Sequence, residues 1–323
     1  VNTLPPIPYG ALFFAPMEGI TDDPFRKTIL KLYPEWDYLA TDFLRVPSAG
    51  RYPAKHLIKH IGQHHYEIPW VREKTMYQIL TSLRAFTTEV VRDLEALEIP
   101  WIDLNLGCPS NTVCGNGGGS SLLKDLHSLA PLVREIRKNY KGRFSAKIRL
   151  GYGDTNSFED ILRMLNDEGV ELITVHTRTR AQMYKEPATW SFLTRAVQVS
   201  KVPIIGNGDV WEPEDVGRML KETGVHGVMV ARGALKHPWM AKSIRLGESR
   251  IPDESRLAKM KEFFTEYRSQ LESGSFFERG VVKRSKSVSR FMLDGIEGGE
   301  QMRRKLVLSQ STAEFYGHLN SFH

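Results

Sequence analysis

Cysteine is nearly missing from this sequence: its 323 residues hold two, Cys108 and Cys114, both in one glycine-rich stretch. That excludes a disulfide framework and a paired CxxC metal site, and it points to a reducing, cytoplasmic home. Long apolar runs are missing too, so no segment is expected to span a bilayer. Val1 to Pro8 lacks the basic-then-apolar layout of a signal peptide, and a start at Val carries no further meaning. A dinucleotide fingerprint is also absent, because the glycines at 115 and 117 to 119 do not fall in the GxGxxG register. Acidic residues fall short of basic ones, 38 against 44, leaving a formal charge of +6. This mild excess favours a polyanionic partner, nucleic acid ahead of a membrane surface.

What is present is a repeating order. Short β-rich runs at 11–15, 37–42, 74–80, 101–106, 144–149, 171–176, 202–206 and 226–231 alternate with helix signals such as Asp22 with Pro24, Thr87 to Leu97 and Pro213 to Glu222. Strand then helix, eight times over, predicts a TIM (β/α)8 barrel. From about Ile251 the pattern changes to long amphipathic stretches at 253–273, 276–294 and 299–320, a small all-helical C-terminal domain. The expected division is 1–248 and 249–323. The stretch 38–70, with Pro47, Pro53 and His56, His60, His64 and His65, is long for a plain βα loop and is expected to decorate the barrel's mouth. Its histidines are irregularly spaced, and no metal site is expected.

In this fold the reactive groups sit at the C-terminal ends of the strands. The first strand ends in Pro16, Met17, Glu18 and Gly19, a tight turn able to offer backbone groups to a flat ligand. The third ends near Gln78, and the fourth carries Asn105 with Cys108 on the loop beyond. The fifth places Lys147 and Arg149 on one face, two cations that need anionic company if buried. The sixth ends in His176 and Arg178 with Tyr184 further on, the seventh in Asn207, Gly208 and Asp209, and the eighth in Ala231, Arg232 and Gly233. Glycines and an arginine after the last two strands suit a phosphate. Taken singly, each has a structural alternative: Gln78 can satisfy a backbone, Asn105 can cap a turn, His176 can be a bonded core residue and Cys108 a small buried hydrophobe.

Together these ends resemble the tRNA-dihydrouridine synthases, flavin enzymes that reduce selected uridines in transfer RNA. The resemblance rests on APMEGITD at 15–22, DLNLGCPS at 103–110, AKIRLG at 146–151, VHTRTRAQMY at 175–184, GNGDVW at 206–211 and ARGAL at 231–235, and covers nearly the whole chain. TDFLRVP at 41–47 and TVCGNGGGSSLLKD at 112–125 are similar to the bacterial C-type branch. The resemblance implies an FMN-bearing barrel, NADPH as reductant, a helical domain that clasps tRNA, and a monomer. It places Pro16, Met17, Glu18, Gln78, Lys147 and His176 around the flavin ring. Asn207, Gly208, Asp209, Ala231 and Arg232 would hold its phosphate. Position 231 departs from the family's usual Gly, so the turn must tolerate a methyl group. On the substrate side the resemblance puts Arg45, Asn105 and Tyr184. Arg149 and Arg178 are expected there as well, and a basic run, Arg279, Lys283, Arg284, Lys286 and Arg290, is expected to meet RNA.

Reducing the uracil 5,6 bond needs a hydride at C6 and a proton at C5 from the opposite face. Cys108 is the expected acid, since an ordinary thiol is mostly protonated near neutrality. The C-type motifs lean toward position 16 of the D-loop. Two rivals stand beside this reading, a flavin enzyme acting on free pyrimidines and a tRNA chaperone without a cofactor.

Overall fold

The structure, a computed structural model, describes residues 4–250, 253–274 and 276–322. Its strands are β1 (Ala11–Phe14), β2 (Tyr38–Ala40), β3 (Leu44–Arg45), β4 (Thr75–Leu80), β5 (Trp101–Leu106), β6 (Arg143–Arg149), β7 (Leu172–His176), β8 (Ile204–Asn207) and β9 (Gly227–Val230). Every pairing between these strands is parallel, and β1 bonds to both β2 and β9, which closes the sheet into a barrel. The barrel has eight staves because β2 and β3 share one, both lying along β4. Ala40 pairs with Met76 and Leu44 with Ile79, so four steps on one strand match three on its neighbour, a one-residue bulge. The TIM barrel and the helical C-terminal region are as expected; the two-residue β3 is not, being too short to show a period.

Side chains alternate across each strand. Leu12, Phe14, Ile102 and Leu104 face outward and are covered by the surrounding helices. Phe13, Tyr38 and Trp101 face inward and plug the interior, Phe13 stacked on Tyr38 at 4.9 Å. The stretch 38–70 meets its expectation at Arg45 to Ala49 and Tyr52, which line a depression beside the loop after β5, and departs from it further on. It and the residues just after it fold into short helices Ala54–Ile61, Gln63–Glu67 and Pro69–Glu73, whose Leu57, Ile61 and Val71 are buried against the barrel's outer wall. Apolar spacing within 54–71 therefore outweighed its prolines. Burial holds His60 down to about 4 and His65 down to about 3, so both are neutral. No metal-holding group of His, Cys, Asp or Glu occurs among the described residues. None of the described helices is long and apolar enough to cross a membrane.

The C-terminal helices Asp253–Ser273, Glu278–Met292, Gly299–Leu308 and Thr312–Asn320 join the barrel through one continuous apolar layer. Phe25, on helix Asp23–Leu32, touches Phe14 on the barrel side and Phe263 and Tyr267 on the other, with centroids 5.4, 5.7 and 5.9 Å away. Phe25→Ala is expected to cost about 3–5 kcal/mol in denaturant unfolding. A loss under about 1 kcal/mol would show that this ring does not couple the two parts.

Candidate active site

The upper half of the barrel interior is polar, and one chain of hydrogen bonds runs through it. Trp101 Nε1 donates to Ser145 Oγ at 2.9 Å, and Ser145 Oγ donates to Asp103 Oδ1 at 2.6 Å. Gln78 Nε2 donates to the other Asp103 oxygen at 2.7 Å. Asn105 Nδ2 donates to Gln78 Oε1 at 2.8 Å, and Asn105 Oδ1 accepts from the backbone N–H groups of Gly107 at 3.1 Å and Cys108 at 2.9 Å. An amide offers donors at one end and an acceptor at the other, so a carboxylate at the base orients both amides above it.

The carbonyls of the same turn are held as well. Arg149 Nε donates to Gly107 O at 2.9 Å, while Ser120 donates to Cys108 O through N–H at 3.1 Å and hydroxyl at 2.8 Å. Cys114 Sγ lies 3.6 Å from that oxygen, a supporting contact. The backbone of Cys108 is thus fixed on both sides. Burial pushes its thiol above the ordinary range, outweighing the Ser110 N–H that favours the thiolate. A protonated thiol is what a proton donor needs.

Beside this turn lies a recess of about 120 Å³, lined by Pro16, Met17, Lys147, His176, Tyr184, Asn207, Gly208, Asp209, Ala231 and Arg232. Lys147 is partly exposed into it. Burial, reinforced by Arg149, brings Lys147 down to about 8 against the attraction of Asp103. Burial and four surrounding cations hold His176 well below its usual range. Its Nε2 faces Arg178 Nη1 at 3.3 Å, an arginine with nothing to accept, so the ring proton sits on Nδ1. Asp209, in the left-handed region at φ 49, accepts from Arg178 at 2.6 Å and Ala188 N at 2.8 Å, with Arg232 at 3.3 Å. Arg232 also lies over the rings of Trp211 at 4.8 Å and Tyr184 at 4.9 Å. Ala231 has φ −107, so its methyl group meets no left-handed strain.

The recess collects most of the expected ligand-binding residues, with exceptions. Glu18 is exposed and outside the lining, because the turn after Met17 carries it outward. Gln78 is fully buried with both amide ends engaged. Arg149 is buried and directed to the carbonyls of Gly107, Thr179 and Met183; Arg178 is buried and directed to Asp209 and the Glu186 carbonyl. Neither presents itself to a large substrate. Asn105 reaches the surface only slightly, whereas Tyr184 and Arg45 are exposed. On helix Glu278–Met292, positions 279, 283, 286 and 290 fall within about 60° of one another at 100° per residue, while 284 lies about 100° or more away. Arg284 accordingly turns inward, pairs with Asp22 at 2.7 Å and lies over Phe276 at 4.2 Å. Asp103, Ser145, Ser120 and Trp211 went unread in the sequence. For Asp103 a signal existed, since it shares the inward face of β5 with Asn105 two residues on.

The family model described as dihydrouridine synthase matches residues 13–321. The chain belongs to the dihydrouridine synthase family. Among curated relatives, the tRNA-dihydrouridine(16) synthase of Pseudomonas syringae pv. tomato is 34% identical over 74% of this chain and 76% of its own. That of Aquipseudomonas alcaligenes is 32% identical over 79% and 82%, and that of Haemophilus influenzae 27% identical over 96% and 99%. A solved 2-naphthoyl-CoA reductase shares the fold alone, with a TM-score of 0.56 at 10% identity over 77% of this chain and 52% of its own. For this dihydrouridine synthase, Asp103→Asn replaces an acceptor at the base of the chain with a group that must also donate. It is expected to lower kcat about 10–100-fold while tRNA affinity stays within about twofold. Unchanged kcat in the folded variant would mean that the chain does not position Cys108.

Proposed function

We propose that this chain reduces uridine 16 of the tRNA D-loop to 5,6-dihydrouridine in the cytoplasm, acting as a monomer with FMN in the recess and NADPH as reductant. The observation that carries this reading is the clamped turn presenting a protonated thiol beside a cationic recess. Position 16 is supported by the relatives from Pseudomonas syringae pv. tomato and Aquipseudomonas alcaligenes, both tRNA-dihydrouridine(16) synthases.

The residues present fit the cofactor. Lys147 and Arg232 bring positive charge to the recess, and its one acidic lining residue, Asp209, is already matched by Arg178. Gly208 at φ 125 leaves no room for a side chain, since a Cβ there would lie 2.9 Å from that of Ala188. A flat anionic ligand with a phosphate tail suits such walls. Bound FMN supplies hydride for C6 of the uracil. Pro16, Met17, Lys147 and the His176 Nδ1–H would hold its ring, with Asn207, Gly208, Ala231 and Arg232 at the phosphate. Gln78 acts behind the ring by orienting Asn105. Cys108 delivers the proton to C5 from the other face, and Tyr184 packs over the flipped base. Arg45 and the stripe of Lys283, Lys286 and Arg290 contact the RNA backbone, with 249–323 serving as the clasp and 1–248 as the catalytic domain.

Cys108→Ala is expected to keep flavin and tRNA binding while dihydrouridine formation, read by nucleoside mass spectrometry, falls at least about 100-fold. Turnover within about threefold of wild type would remove the acid role. Lys147 is cationic below about 8 and loses its charge as pH rises through that value, whereas Cys108 stays protonated further up. Affinity of the flavin-free protein for FMN is therefore expected to fall as pH rises through about 8, and Lys147→Arg to move that limb upward. A limb unmoved by the arginine would assign it to another group.

A further inference from the structure

A second and larger depression lies on the far side of the Cys108 loop. It holds about 830 Å³, within the range of ligand sites, and is lined by Arg45 and Tyr52, by Leu83 and Arg84 after β4, and by Val113 and the segment Gly115 to Gly118. Among the described residues no Asp or Glu lines it, and neither Arg45 nor Arg84 has an acidic partner. Both arginines are exposed, as is Leu83 at 53%, while Val46 and Val113 give the depression an apolar floor. Two unmatched guanidinium groups beside apolar surface fit a phosphate joined to a flat base.

We propose that this groove binds a nucleotide next to the target uridine in the same RNA strand, its base against Leu83 and Tyr52 and its phosphate at Arg84 and Arg45. The inference rests on the reading of the chain as an enzyme acting on tRNA and adds a subsite to it. Geometry ties this subsite to the acid. A Cβ at Gly119 would lie 2.9 Å from Cys108 O, and one at Gly118 2.8 Å from Thr81 O, so Gly119 lets this segment close directly onto the Cys108 turn while Gly118 lets it close onto the end of β4. Ser120, next along the same wall, holds Cys108 O. A base seated in the groove therefore bears on the loop that presents the thiol.

The test titrates the whole protein with unmodified tRNA and with tRNA carrying an abasic residue on either side of the target, using wild type, Leu83→Ala and Arg84→Ala. Both side chains are exposed, so both variants should fold. One abasic position is expected to weaken wild-type binding about tenfold and the Leu83→Ala protein much less. Arg84→Ala is expected to weaken binding of intact tRNA and to reduce the salt slope by about 0.7. If wild type binds and reduces intact tRNA while neither variant nor abasic site changes affinity, the subsite is wrong and the enzymatic reading stands. If Arg84→Ala instead raises the KM for NADPH at unchanged tRNA affinity, the groove serves the dinucleotide and the proposal is overturned. Wild type that neither binds nor reduces intact tRNA would overturn both.

Discussion

Asp103 is fully buried inside the barrel, and its two oxygens accept from Ser145 and Gln78. A carboxylate in that position is costly unless its acceptors are filled and a cation is near. Lys147, on the neighbouring strand in register with Asn105, supplies the attraction. What the barrel gains is direction: the carboxylate orients Gln78, Gln78 orients Asn105, and Asn105 leaves one oxygen for the N–H groups of Gly107 and Cys108. Below the carboxylate lies the aromatic plug, which gives this chain a rigid floor through Trp101 and Ser145. Preorganisation of this kind lets a reactive group on a loop behave as though it were on the scaffold.

The same burial moves the titrating groups in different ways. It raises the Cys108 thiol, lowers Lys147 and keeps His176 neutral. A protonated thiol, a cationic lysine and a neutral histidine can therefore coexist near neutral pH. Arg149 and Arg178 contribute through structure, one holding the Gly107 carbonyl and the other holding Asp209 under Arg232.

The barrel was legible because eight buried parallel strands leave a strong repeating signal, and the gathering of Lys147, His176 and Asn207 at one recess because each stands near the C-terminal end of a strand. Other features lay beyond one-dimensional reading. The bulge that creates β3 depends on register against β4, which no local pattern encodes. Arg284 belonged to a basic run by composition, yet helical geometry turns it toward Asp22 and away from its neighbours. Glu18 shared a motif with Pro16 and Met17, but the turn sends it to solvent. Asp103 shares the inward face of β5 with Asn105, so its direction is legible in the strand period, but its role in orienting the amides depends on partners on β4 and β6 that the period does not name.

In the proposed reaction the proton at C5 comes from an exchangeable acid on the protein while C6 receives hydride. Single-turnover reduction of unmodified tRNA in D2O, starting from the reduced enzyme with its flavin N5 hydrogen still protium and quenched before exchange, tests this by placing the label in the isolated dihydrouridine. One deuterium at C5 and none at C6 is the expected result. Deuterium at C6 with protium at C5 would contradict it.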